Sequence, residues 1–224
     1  MILFCLPYAG GTAGDYLRWK AYLNDHIEVL PIEYPGHGQR LTEPLCRDFP
    51  TLHDYCLKSI SEMIRPGKEF SILGHSLGGI LAYELTVSLQ KINIFSSHLF
   101  VSASFPPNMV ENQKVLINSE NFNDVLMGFQ ELDMEIINSP EFIKYYLPIL
   151  QADYQVYNSF KYREHKLLNC PITTLSGIKD SVTPYTPFWE LFTSETYSNY
   201  LFKGDHFYIK SLPVRLFQTI NDAL

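Results

Sequence analysis

Charge is scarce in this chain. Asp, Glu, Lys and Arg make up 18% of its 224 residues, with a formal balance of −7 at pH 7. A mildly acidic chain with no basic stripe argues against a nucleic-acid partner. No apolar run is long enough for a membrane-spanning helix, and no membrane association is expected. Met1 leads straight into "ILFCLPYAGG", which has no basic n-region and only a short apolar run, so it reads as a strand and not a signal peptide. Cysteines are few and scattered. Cys5, Cys46, Cys56 and Cys170 form no CxxC and no Cys/His cluster at metal-ligand spacing, so free thiols in a reducing cytoplasm are expected. Also missing are GxGxxG and the P-loop lysine pattern, internal repeats, and low-complexity tracts.

Apolar residues, by contrast, are plentiful. Hydrophobic residues reach 46%, with 15 Tyr and 15 Phe, enough for a sizeable core in one domain. Short β-rich runs at 2–6, 29–34, 70–74, 99–104, 172–177 and 199–202 read as buried strands. Between them, 16–23, 51–64, 81–90 and the tail 211–220 carry apolar residues at helical spacing. This alternation predicts an α/β fold: a mostly parallel central sheet with helices on both faces and its active site beyond the carboxyl ends of the strands. The rhythm breaks after Ser104. Residues 105–169 show no strand pattern but two amphipathic helical stretches, 119–132 and 139–160, opened by the capping residues Ser119 and Ser139. Pro140 suits a first helical position. The expected organisation is a core over 1–104 and 170–224, with a helical lid inserted at 105–169.

Gly74-His75-Ser76-Leu77-Gly78 matches G-x-S-x-G, lying after the strand-like "FSIL" and before the helical "GILAYEL". That is the context a nucleophile elbow requires. A serine hydroxyl attacks only when a base takes its proton. Of the 7 histidines, His206 is the strongest candidate, in a loop after the last strand-like run. His75 adjoins the serine and is expected to pack beside it, and His37 in "EYPGHGQR" is expected near the site rim. The remaining histidines, His26, His53, His98 and His165, read as surface or core residues. The base needs a carboxylate to fix its tautomer. Asp180, just past the strand 172–177, gives the order Ser, Asp, His of α/β-hydrolases. Asp205 and Asp153 are weaker rivals. The oxyanion of an acyl-transfer intermediate needs two preorganised donors. One is expected to be the Leu77 N–H, and the other to come from the glycine-rich loop "LPYAGGTAGDY".

"LPYAGGTAGDYLRW", "IEYPGHGQR", "LGHSLGG", "LPILQADYQVY", "SGIKDSVTP" and "GDHFYI" follow one another here as they do in type II thioesterases. These discrete enzymes accompany nonribosomal peptide and polyketide synthetases, and the chain resembles them from Phe4 to about Ile209. The resemblance implies an α/β-hydrolase with a helical lid, and a housekeeping role hydrolysing acyl thioesters on the phosphopantetheine arm of acyl or peptidyl carrier proteins. By the same resemblance the nucleophile falls on Ser76, the acid on Asp180, the base on His206, and the oxyanion amides on Leu77 and Ala9, with Tyr8 and Gly10 as neighbouring alternatives. No metal or cofactor is implied, because phosphopantetheine arrives with the partner. A cytoplasmic monomer is expected. Leu77 and Gly79 stand where the family more often has Met and Ala, Gln151 stands for an Arg, and Asp205 for a Gly. The alternatives are a carboxylesterase or lipase acting on oxygen esters, a medium-chain fatty acyl thioesterase, and a catalytically silent carrier-docking module.

Overall fold

The computed structural model describes residues 1–113 and 139–224. Six parallel strands, β1 (Ile2–Leu6), β2 (Glu28–Pro31), β3 (Phe70–His75), β4 (Leu99–Ser102), β5 (Ile172–Gly177) and β6 (Tyr197–Phe202), form one sheet in the order β2-β1-β3-β4-β5-β6. Each overlaps a run read as a strand, though β2 and β4 end earlier than expected and the edge strands β2 and β6 are only partly buried, and all pairings are parallel.

Side chains alternate across a strand, so each central strand feeds two cores. Ile2, Phe4 and Leu6 of β1 pack on one face with helices α1 (Phe49–Met63) and α2 (Leu77–Lys91). Leu3 and Cys5 pack on the other with Trp19 and with helix α4 (Val214–Ala223). Burial on both faces explains why these strands read as unbroken apolar runs.

Helix boundaries follow local chemistry. Asp48 caps α1, its carboxylate accepting the Thr51 N–H at 2.9 Å. The inserted helix α3 (Pro140–Ser159) starts at the expected place: Ser139 Oγ accepts the Phe142 N–H at 3.1 Å, and Pro140 takes the first position. The stretch expected as a helix over 119–132, with its cap Ser119, lies outside the described residues.

Two segments differ in kind from the expectation. Residues Ala13–Ala21 form a 3-10 helix, and its two buried side chains, Tyr16 and Trp19, are three apart, matching the 3-10 repeat. The tail splits into a 3-10 turn, Tyr208–Ser211, and α4, divided at Leu212 (φ 48°) and Pro213. Among the described residues no helix is long and apolar enough to cross a membrane. All four cysteines carry free thiols, with Cys5, Cys56 and Cys170 buried.

Candidate active site

Ser76 sits between the end of β3 and the first turn of α2, at φ 56° and ψ −116°. A non-glycine residue holds such a conformation only where its surroundings enforce it, and such strain clusters at functional sites. Here the enforcement is visible. The Ser76 N–H donates to the Ser102 carbonyl on β4 at 2.8 Å, and the Gly79 N–H donates back to the Ser76 carbonyl at 2.9 Å. A Cβ at Gly74 would strike the Gly78 carbonyl, and one at Gly78 would strike the carbonyls of Leu6 and Pro7. The second glycine therefore clears space for the end of β1 and not only for the turn.

The loops after β5 and β6 bring the acid and base together. The Lys179 N–H donates to the Gly204 carbonyl at 2.9 Å and the Ile178 N–H to the Phe202 carbonyl at 2.8 Å, lacing the two loops side by side. Across this seam His206 Nδ1 lies 2.9 Å from Asp180 Oδ2. The other Asp180 oxygen accepts the Val182 N–H at 3.1 Å, and the carboxylate is almost fully buried while the imidazole is partly open. Nδ1 is thus held toward the acid, leaving Nε2 for proton transfer. The rivals are accounted for elsewhere. Asp205 caps its own turn by accepting the Phe207 N–H at 3.0 Å, and Asp153 pairs with His37.

One cavity of about 350 Å³ holds the set: Ser76, Asp180 and His206 line it together with Ala9, Leu77 and Tyr8. Phe105, Gln113, Tyr154 and Tyr157, all from the segment 105–169, are also part of its wall. The aromatic surplus of the insertion is therefore spent partly on this cavity. His75 sits beneath the elbow as expected, buried, with its Nδ1 2.8 Å from Ser102 Oγ, which in turn meets Tyr208 Oη at 2.7 Å. Burial above all, and then the charges of His206 and Lys210, push its pKa well down, so it stays neutral.

His37 corrects the sequence reading: it is not at the rim but buried. Its Nδ1 donates to the Pro35 carbonyl at 3.0 Å and its Nε2 meets Asp153 Oδ2 at 2.9 Å. An acceptor at each nitrogen favours the doubly protonated imidazole. Burial pushes its pKa down, but the hydrogen bond and charge of Asp153 outweigh burial, and the net shift is upward. Asp153 Oδ2 also accepts the Gly10 N–H at 2.7 Å, while Tyr146 Oη donates to the Gly10 carbonyl at 3.1 Å. Helix α3 thus grips both polar groups of the Gly10 backbone, itself at φ +77°. This removes Gly10 from the oxyanion candidates in the loop and leaves Ala9 and Tyr8 at the cavity wall. Sequence reasoning missed the grip, because its partners are 143 and 136 residues from Gly10. The buried carboxylate in "LQADY" was the available signal.

A family model for the thioesterase domain matches residues 1–224. The gramicidin S biosynthesis protein GrsT of Aneurinibacillus migulanus is 30% identical over 212 residues, covering 92% of this chain and 82% of its own. The medium-chain S-acyl fatty acid synthase thioesterase of Rattus norvegicus is 27% identical over 214 residues, covering 92% and 81%. Among solved structures, the RedJ thioesterase of the prodiginine biosynthetic pathway in Streptomyces coelicolor matches with a TM-score of 0.89 at 26% identity, over 100% of this chain and 90% of its own. The fold is that of the α/β-hydrolase thioesterases. The chain belongs to the thioesterase domain family and is a thioester hydrolase.

Proposed function

We propose that the chain is an editing, type II thioesterase. It would release acyl groups held as thioesters on the phosphopantetheine arm of acyl or peptidyl carrier proteins in nonribosomal peptide or polyketide synthesis. The observation that carries this reading is the Asp180–His206 pair facing the same cavity as a serine on a strained elbow. Support for the carrier-bound substrate comes from relatives named for peptide and prodiginine biosynthesis.

In this mechanism His206 Nε2 takes the Ser76 proton as Oγ bonds to the thioester carbonyl carbon. The N–H groups of Leu77 and Ala9 hold the oxyanion, each worth about 2.7–4 kcal/mol of barrier. The C–S bond then breaks and the sulfur leaves as the pantetheine thiol, carrying the proton from His206. A water molecule next gives a proton to His206 and its oxygen to the acyl carbon. Collapse frees the acid and returns the proton to Ser76. No resident metal or cofactor takes part, and the pantetheine enters and leaves with its carrier. The insertion over 105–169 acts as a lid on the acyl side. A cytoplasmic monomer suits an enzyme that meets its synthetase as a separate protein.

The test is hydrolysis of a panel of acyl groups loaded on one carrier protein, with the same acyl groups offered as small oxygen esters. Wild type should favour the carrier thioesters, and Ser76→Ala should release nothing while still binding the carrier. A strong preference for oxygen esters would reverse the reading to a carboxylesterase. Activity confined to medium-chain fatty acyl groups would move it to the function named for the Rattus norvegicus relative.

A further inference from the structure

A second cavity, of about 300 Å³, adjoins the first and shares the Tyr8 side chain as its wall. The first holds Ser76 and His206, and no Lys or Arg is among the described residues that line it. The second is lined by Arg18 and Lys210, with Asp15, Tyr16 and Trp19. In a chain of net charge −7, two cations at one small cavity run against the overall balance. Among the described residues the Asp15 carboxylate offsets one of these charges and leaves the lining with a net positive balance. Its Oδ2 accepts the Thr12 N–H at 2.8 Å and its Oδ1 accepts the Tyr8 hydroxyl at 3.2 Å, which also fixes the dividing wall.

Lys210 ties the two cavities together. Its Nζ stands 5.3 Å from the centre of the Tyr8 ring and 5.1 Å from that of Phe207, and both rings line the Ser76 cavity. Lys210 is half-buried, whereas Arg18 is exposed. Burial against two aromatic faces strips part of the hydration from an ammonium and strengthens its pull on an anion.

We infer that this second cavity is a phosphate-binding site, in which Arg18 and Lys210 hold the phosphodiester of the pantetheine arm while the thioester lies across Tyr8 in the Ser76 cavity. The inference rests on the functional reading above and adds to it the place where the arm is held. A thioester substrate of this kind carries its anionic charge at the end away from the reacting carbon. A site built for it needs cations at a neighbouring mouth and a neutral wall between, which is the observed arrangement. Arg18 supplies a planar fork suited to phosphate oxygens and Lys210 a point charge.

The test compares three thioesters bearing one acyl group: acyl-pantetheine, acyl-4′-phosphopantetheine, and the same acyl on a carrier protein. Wild type should prefer the phosphorylated small substrate over the unphosphorylated one in kcat/KM. Lys210→Gln with Arg18→Gln should erase that preference, raising KM for acyl-4′-phosphopantetheine about tenfold with little change in kcat. Lys210→Arg should restore most of it. Free 4′-phosphopantetheine should inhibit wild type competitively and the double variant about tenfold more weakly. Equal loss on both small substrates would overturn the inference, and so would a loss seen only with the carrier, which would assign the cations to carboxylates on the carrier surface. Should wild type hydrolyse no carrier-bound acyl group at all, the functional reading fails first. Wild-type activity without a phosphate preference defeats the phosphate site alone.

Discussion

Gly78 is held between the nucleophile and the neighbouring strand, and its substitution separates packing from chemistry. In Gly78→Ala the new methyl would meet the carbonyls of Leu6 and Pro7, backbone atoms that cannot yield without disturbing β1. The expected cost is about 1–3 kcal/mol in urea unfolding, with a fall in kcat as the Ser76 and Leu77 positions shift. Asp180→Asn is the complementary case. The side chain keeps its size, but the amide cannot hold His206 in the productive tautomer, and kcat should fall about ten-thousandfold while the unfolding midpoint barely moves. Stopped assays and denaturant titrations on the same preparations read both. A loss of stability matching the loss of activity would remove Asp180 from the chemistry. These residues were legible in the sequence because an elbow is a local pattern, and because the acid and base each follow a strand. His37 was not legible. Its loop suggested the rim, and only a carboxylate 116 residues away draws the imidazole inward.

At the scale of elements, α3 carries one buried carboxylate into the core. Asp153 meets the His37 imidazole and the Gly10 N–H together, so Asp153→Ala leaves both buried donors without their acceptor. A broken buried pair of this kind costs about 3–5 kcal/mol, and Asp153→Asn, which can still accept from Gly10, should cost less. Thermal unfolding of the two variants checks the order, and equal destabilisation would show that the acceptor kept by Asn contributes nothing. The strands were legible for a simple reason. A parallel strand buried on both faces is an apolar run bounded by polar residues, and the four central strands are of that form, whereas the edge strands β2 and β6 are only partly buried. The 3-10 helix Ala13–Ala21 escaped because periods of 3 and 3.6 diverge little over two turns. How α3 docks was beyond local pattern altogether.

Across the whole molecule, buried histidines set opposite limits on the pH range of stability. His98 stacks on Phe100 and meets Thr173 Oγ1 at 2.8 Å, and burial pushes its pKa from 6.5 down to about 4. A depressed value in the fold means that its contribution is intact above pH 6.5 and is lost as pH falls toward about 4. His37 has the reverse sign. Its raised value makes the contribution complete below pH 6.5 and lost as pH rises through that raised value. Urea unfolding across pH should show His98→Asn losing stability less steeply than wild type on the acid side, by up to about 3 kcal/mol. His37→Gln should flatten the alkaline side. Parallel curves for variant and wild type would place the sensitivity in other groups.

The insertion leaves the sheet after β4 and returns at β5, and those strands are direct neighbours, with Ser102 opposite Leu175. Because that pairing is parallel, the insertion is a crossover from the carboxyl end of β4 to the amino end of β5, a span that the sheet fixes whatever lies between. The entropy of closing such an excursion grows only with the logarithm of its length, about 0.6 kcal/mol for each doubling. The thioesterase core can thus accept insertions of very different size at almost constant stability. The constraint falls on α3 instead, since any replacement must still deliver a carboxylate to His37 and Gly10. Under the proposed function, acyl preference would in this sense be a transferable part of the enzyme: the segment that helps wall the Ser76 cavity could be exchanged for another while Ser76, Asp180 and His206 stay where they are.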